Sequence, residues 1–234
     1  MKKHFLTPLT ALLLLAGGLL VCGCEKEPPP PEVEPELQPT LELSVTPEGE
    51  IPYGDVATLE WKTTNAFRLF INDERQDNYK EGNKGTGKLF KDTTYTVKAQ
   101  RVTLFAQKSV TIEVGDWTTS TFGLVSYYPW KYKAQRITRD GVILSTWQLD
   151  EEELSWVFYF HKDGKLTFSS NLSGNTETWL IKNDGTIILM NGVARKLQVD
   201  PYEMVISYQT TYNGETVWFD MVFEHASDTP TDPD

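Results

Sequence analysis

Five dipeptides of one kind, Asp140-Gly141, Asp163-Gly164, Asp184-Gly185, Asn191-Gly192 and Asn213-Gly214, divide the C-terminal half of this chain at short intervals. Asn and Asp tolerate left-handed backbone and Gly adopts it freely, so such pairs fit the hairpin turns whose twist matches a β-ribbon. Strand patterns lie before, between and after them, at 130–138, 142–149, 154–161, 165–170, 176–182, 186–190, 193–199, 203–211 and 215–224. Eight or nine strands joined by hairpins tend to curl and close, because closure removes the unpaired edges that recruit other chains. Residues 116–225 are therefore predicted to form a small antiparallel β-barrel. Alternation puts Trp156, Phe158 and Phe160 on one face against Val157, Tyr159 and His161. It likewise sets Phe219, Met221 and Phe223 against Trp218, Asp220 and Glu224, and the all-apolar sets are expected inside.

The preceding half, 41–115, has the same period with shorter spacing. Strand patterns occur at 41–46, 56–62, 66–71, 93–100 and 106–114, and helical periodicity is absent. Ala57, Leu59 and Trp61 alternate with Thr58, Glu60 and Lys62, which gives that strand one wet face. Pro52-Tyr53-Gly54, Leu59-Glu60-Trp61, Asn65-Ala66 and Thr93-Thr94-Tyr95-Thr96-Val97 are together similar to bacterial immunoglobulin-like modules. That resemblance implies a β-sandwich with Trp61 as a core plug where antibody domains have a disulfide, and Asp92 with Tyr95 resembles the tyrosine corner. The second half resembles the lipocalin-like domains of outer-membrane lipoproteins through Trp130-Lys131, the acidic turn 150–153, Phe158-Tyr159-Phe160 before Asp163-Gly164, and a strand at Trp179. It departs from true lipocalins in having Pro129 before Trp130 rather than a Gly-X-Trp, and in being shorter. Both a ligand cavity and an interior filled by side chains remain open for it. The fold class expected is thus all-β, an immunoglobulin-like sandwich followed by a lipocalin-like barrel, with 226–234 a disordered acidic tail.

The N-terminus reads as an address. Met1-Lys2-Lys3-His4 is a positive head, and the apolar run that follows is about 13 residues long, short of the roughly 20 that span a bilayer. Val21-Cys22-Gly23-Cys24 resembles the bacterial lipobox, in which a small residue precedes the acylated cysteine, so residues 1–23 are read as a lipoprotein signal peptide and Cys24 as the lipidation site. Removal of Lys2 and Lys3 with the leader takes the formal charge from −11 to −13. Acyl chains on Cys24 would hold the mature chain to a lipid bilayer without a transmembrane helix. Residues 24–40 alternate proline with glutamate and are expected to form an extended tether of about 3.1 Å per residue. Glu25-Lys26-Glu27 resembles an export signal of certain Gram-negative gut anaerobes, which implies an outer-membrane, cell-surface location.

Chemistry is sparse in what remains. An excess of 33 acidic over 22 basic residues argues against nucleic acid, whose phosphates need a basic face. Both cysteines fall at or before residue 24, and only His161 and His225 remain after cleavage; each reads as a surface histidine. No nucleophile elbow, phosphate-binding loop, dinucleotide fingerprint or calcium loop occurs, and no cofactor or metal is expected. Asp150-Glu151-Glu152-Glu153 places its carboxylates side by side rather than across a scissile bond, and reads as an acidic loop or single helical turn. Nineteen aromatic residues lie in 116–225 against eight in 41–115, so the second half holds the material for a binding site. Trp130, Tyr132, Trp147, Trp179 and Trp218 are the candidates to stack on a glycan or to line the mouth of an apolar pocket. The expected role is a non-catalytic binding or accessory module for a glycan or small apolar ligand, the alternative being a docking subunit for another envelope protein.

Overall fold

A computed structural model describes residues 37–169, 176–182 and 185–232. The leader, Cys24, the tether up to residue 36, Asp184 and the last two residues lie outside the described residues. The protein is all-β, and the period-2 segments of the sequence are its strands. In the first half β1 (Thr40–Thr46), β2 (Val56–Thr64), β3 (Arg68–Ile71), β4 (Glu74–Gln76), β5 (Glu81–Lys88), β6 (Thr93–Arg101) and β7 (Leu104–Ile112) make two sheets. Their orders are β1-β2-β5 and β4-β3-β6-β7. The apolar phase of each strand turns inward: Leu59, Leu69, Val97 and Ala99 are completely buried between the sheets. Trp61 fills this core as the alternation predicts, its Nε1 donating to the Asn78 carbonyl at 3.0 Å. Gly82 is required opposite, since a Cβ there would stand 2.7 Å from the indole.

β4 and β5 are not visible in the sequence. Glu81–Lys88 reads EGNKGTGK, with little strand propensity, and becomes a strand because its backbone completes the ladder of β2. The tyrosine-corner expectation changes partner: Asp92 Oδ1 accepts from the Val114 N–H at 2.9 Å, while the Tyr95 hydroxyl makes no backbone hydrogen bond among the described residues. The end of the tether already belongs to the sandwich, with Pro39 buried and the Gln38 amide donating to the Phe105 carbonyl at 3.1 Å.

A 3₁₀ turn at Trp117–Thr119 and a short helix, α1 (Thr121–Ser126), lead into the second half. The strands there are β8 (Trp130–Arg139), β9 (Val142–Trp147), β10 (Val157–Phe160), β11 (Lys165–Phe168), β12 (Glu177–Lys182), β13 (Ile187–Met190), β14 (Val193–Val199), β15 (Glu203–Tyr212) and β16 (Glu215–His225). β10 to β16 pair in order, β16 pairs with β8, and β8 returns to β10 through Val157 opposite Lys131 and Phe158 opposite Trp130. The sheet thus closes, and β9 hangs outside the ring on the far part of β8. Leu154 and Ser155, expected in a strand, lie instead in α2 (Glu151–Ser155). The acidic run starts this single turn with a capping box: Asp150 Oδ1 accepts from the Glu153 N–H at 2.8 Å, and the Glu153 carboxylate accepts from the Asp150 N–H at 3.2 Å.

The barrel interior is filled. Trp130, Phe160, Leu166, Ile188, Met204 and Ile206 are completely buried in it. α1 closes one end, with Val125 buried in the same core and its carbonyl accepting from Trp130 Nε1 at 2.9 Å. Tyr132 packs flat on Phe223 at 4.8 Å and edge-on to Phe158 at 4.9 Å. Burial, first, and the nearby Glu153 charge push its phenol up to about 12. Aromatic rings occupy much of the barrel interior.

The two halves keep separate cores, yet residues 37 onward form one compact unit. The Pro52-Tyr53-Gly54 turn of the sandwich fits against the segment 117–122. Ser120 Oγ donates to the Tyr53 carbonyl at 2.6 Å, and the Tyr53 N–H donates to Thr119 Oγ1 at 3.1 Å. Gly54 has φ +79°, and a Cβ on it would lie 2.5 Å from the Phe122 ring. Phe122 in turn stacks on Phe90 of the sandwich at 6.0 Å and on Trp179 of the barrel at 5.1 Å. Cations cross in both directions: Lys88 lies 3.5 Å from the Phe122 centroid, and Lys162 lies 5.0 Å from that of Phe90.

Beyond β16, the described residues 226–232 of the segment expected as a disordered tail hydrogen-bond back to the barrel. The Ala226 N–H donates to the Pro129 carbonyl and the Thr231 N–H to the Tyr127 carbonyl, both at 2.8 Å. Asp232 then clamps the β10–β11 turn, meeting His161 Nδ1 at 2.8 Å through one oxygen and accepting from the Lys162 N–H at 2.7 Å through the other. His225 is half-buried among Trp117, Tyr128 and Trp130, with ring centroids at 6.3, 4.9 and 4.4 Å. Desolvation lowers its pKa against the opposing pull of Asp228 and Asp200. Folding therefore favours the neutral ring. This contribution is complete above the ordinary histidine pKa of about 6.5 and is lost as pH falls through the lower folded-state value. Urea unfolding below pH 6.5 should show stability falling with acidification less steeply in His225→Phe than in wild type; identical slopes would disprove it.

Candidate functional site

One concavity of the second half lies outside the barrel wall. It is a cleft of about 520 Å³ across the outward faces of β14, β15, β16 and β8. Register builds it. Lys196 of β14 stands opposite Ser207 of β15, Ser207 opposite Asp220 of β16, and Asp220 opposite Arg136 of β8, a polar row over four adjacent strands. Trp218 and Thr138 form the next row, and Gln198 borders the first from the other side. Asp140, Gly141 and Ile143 of the β8–β9 hairpin make one wall. β-Bulges at Ile137/Thr138 and Val222/Phe223 flank the cleft, and a bulge bends its strand and deepens the local twist.

Burial on this face runs against the ordinary rule for a solvated barrel wall. Ser207 is 4% and Asp220 6% exposed although both point away from the core. Asp220 Oδ2 accepts from Thr138 Oγ1 at 3.0 Å and from Arg136 Nε at 3.4 Å. Asp220 Oδ1 and the Ser207 hydroxyl have no hydrogen-bond partner among the described residues. Neither atom is fully enclosed, so both open onto the cleft and can meet donors and acceptors brought by water or a ligand. The Trp218 indole, half-exposed, supplies an apolar face beside them, with Lys196 Nζ 5.5 Å from its centroid. Two carboxylates, two hydroxyls, an amide, two cations and one aromatic plane converge here, which is the chemistry for holding a polyhydroxylated ring.

Of the five aromatic candidates, the structure brings only Trp218 to this cleft. Trp130 is completely buried and Trp179 is 4% exposed, its Nε1 donating to the His161 carbonyl at 3.0 Å; both are barrel core. Tyr132 belongs to the core as well, its hydroxyl directed at Met221 Sδ, 3.7 Å away. Trp147 is 41% exposed on β9 and leans on Phe219 at 5.5 Å, apart from the cleft. Arg136, Lys196, Gln198, Ser207 and Asp220 escaped sequence reasoning. The one available signal was Asp220 itself, an acid on the outward phase of an aromatic and apolar strand, Trp218 to Phe223.

Neither histidine is a simple surface residue. His161 Nε2 meets Thr167 Oγ1 at 2.9 Å while Nδ1 meets Asp232, so both ring nitrogens are engaged in the tail clamp. No group of three or more His, Cys, Asp or Glu side chains positioned to hold a metal occurs among the described residues, and no described helix is long and apolar enough to cross a membrane. Comparison with protein-family profiles, curated proteins and solved structures gives no match to this chain.

Proposed function

We propose that this protein is an envelope lipoprotein, anchored in the outer membrane through acylated Cys24 and exposed at the cell surface, whose barrel binds glycan without turnover. The observation that carries the glycan reading is the row Lys196–Ser207–Asp220–Arg136 set beside the half-exposed Trp218. A sugar ring has an apolar face and a rim of hydroxyls, and this cleft offers a plane for the first and fixed acceptors and donors for the second. The packed interior favours glycan over a small apolar ligand, which would need space inside the barrel. The leader and the lipobox-like Val21-Cys22-Gly23-Cys24 support the anchor, and the acidic Glu25-Lys26-Glu27 supports the outer face.

The experiment is a glycan-array screen of the soluble chain from residue 25, repeated with Trp218→Ala. Covering about 60–80 Å² of indole contributes roughly 1.5–2 kcal/mol, so the variant should bind at least tenfold more weakly with the fold intact. Absence of any glycan ligand, or equal binding by the variant, would refute the reading. A second reading, docking to another envelope protein, draws on β9: Val142, Ile143 and Trp147 are exposed on an uncharged strand that, among the described residues, pairs only with β8. Crosslinking from β9 in whole cells separates the two.

A further inference from the structure

We propose that the sugar held at Trp218 is acidic, a hexuronate or similar carboxylate-bearing unit, with Lys196 as its counter-charge. This rests on the glycan reading and names the substrate class of that site. The outward cations around the cleft are otherwise matched. Lys131 pairs with Glu224 at 3.2 Å, Lys133 with Glu203 at 2.9 Å and Arg136 with Asp220 at 3.4 Å, and Arg139 pairs with Glu215. Lys196 has no ion pair among the described residues, in a chain where 33 acidic side chains outnumber 22 basic ones. A cation without a carboxylate partner in a concave site of an acidic protein is a charge available to a ligand.

Its placement matches that use. Lys196 lies directly across the strand pair from Ser207, whose hydroxyl is the other unpartnered donor of the row, so one carboxylate can accept from both. Lys196 Nζ lies over the Trp218 ring, 5.5 Å from its centroid, so a carboxylate carried by a sugar at that ring comes within reach of it. Asp220 does not oppose this, because Arg136 offsets its charge and Thr138 donates to it. That leaves Asp140 on the hairpin wall as the cleft's one carboxylate without an ion pair among the described residues, set against Lys196. The free Oδ1 of Asp220 remains an acceptor for ring hydroxyls.

The test compares hexuronate oligosaccharides with their carboxyl-reduced counterparts by calorimetry and by tryptophan fluorescence, using wild type, Lys196→Met, Lys196→Arg and Trp218→Ala. The uronate should bind about tenfold more tightly than the reduced sugar, since hydrogen bonds to charged groups are the stronger class. Lys196→Met should remove that preference, so that the uronate and the reduced sugar bind alike. Lys196→Arg should keep it, and added salt should weaken only the uronate. Equal binding of both sugars by wild type, still abolished by Trp218→Ala, would overturn the acidic assignment while leaving the glycan site standing. Failure of wild type to bind either sugar overturns both.

Discussion

Replacing Trp130 by alanine is expected to cost the protein about 4–6 kcal/mol, enough to remove most of the stability of an ordinary domain. The indole is completely buried where β8, α1 and the barrel closure meet. Truncation leaves a cavity, worth roughly 3–5 kcal/mol for a large aromatic residue, and orphans the Val125 carbonyl that Nε1 now serves at 2.9 Å. Trp130→Phe separates the two effects. It keeps much of the volume but not the donor, and should cost about 1–3 kcal/mol. Urea denaturation followed by far-ultraviolet circular dichroism measures both; a loss below about 1 kcal/mol for the alanine variant would contradict the barrel core as described.

Phe122→Ala should change the form of unfolding as well as its midpoint. The ring touches both halves, stacking on Phe90 and Trp179 under the ammonium of Lys88, and Gly54 is kept small to admit it. Its loss should cost about 3 kcal/mol by cavity formation. Because the cores themselves are separate, weakening this joint should split one calorimetric transition into two, the barrel melting first since Trp179 loses its cover. A variant that still melts in one step, within about 2 °C of wild type, would show that Phe122 does not couple the halves.

Much of the fold was legible because hairpins announce themselves locally. Asp140-Gly141, Asn191-Gly192 and Asn213-Gly214 all have positive φ at both positions, and the strands on either side begin and end close to where alternation puts them. β5 was illegible for the complementary reason: EGNKGTGK has no local preference for extension and takes its conformation from β2. α2 was partly legible as an acidic turn, but its capping box pulled Leu154 and Ser155 out of the following strand. The aromatic candidates divided as they did because a short strand shows which residues share a face, not how deeply that face is covered. Trp179 and Trp218 look alike in sequence; one meets Phe122 and Phe160, the other meets solvent and Lys196.

Local sequence was sufficient for the class of the protein: all strand, hairpin-connected, with its apolar phase inward and without the residue sets of the common catalytic motifs. Those properties depend on turn preference and period-2 burial, which act over a few residues. Tertiary structure alone decided that the barrel is filled, that the tail is clamped and that the halves are joined. It also aligned Lys196, Ser207, Asp220 and Arg136, from four strands up to 84 positions apart, in one row. Register across a closed sheet is a property of the whole ring, since each bulge shifts every later pairing, and no window of the chain contains it.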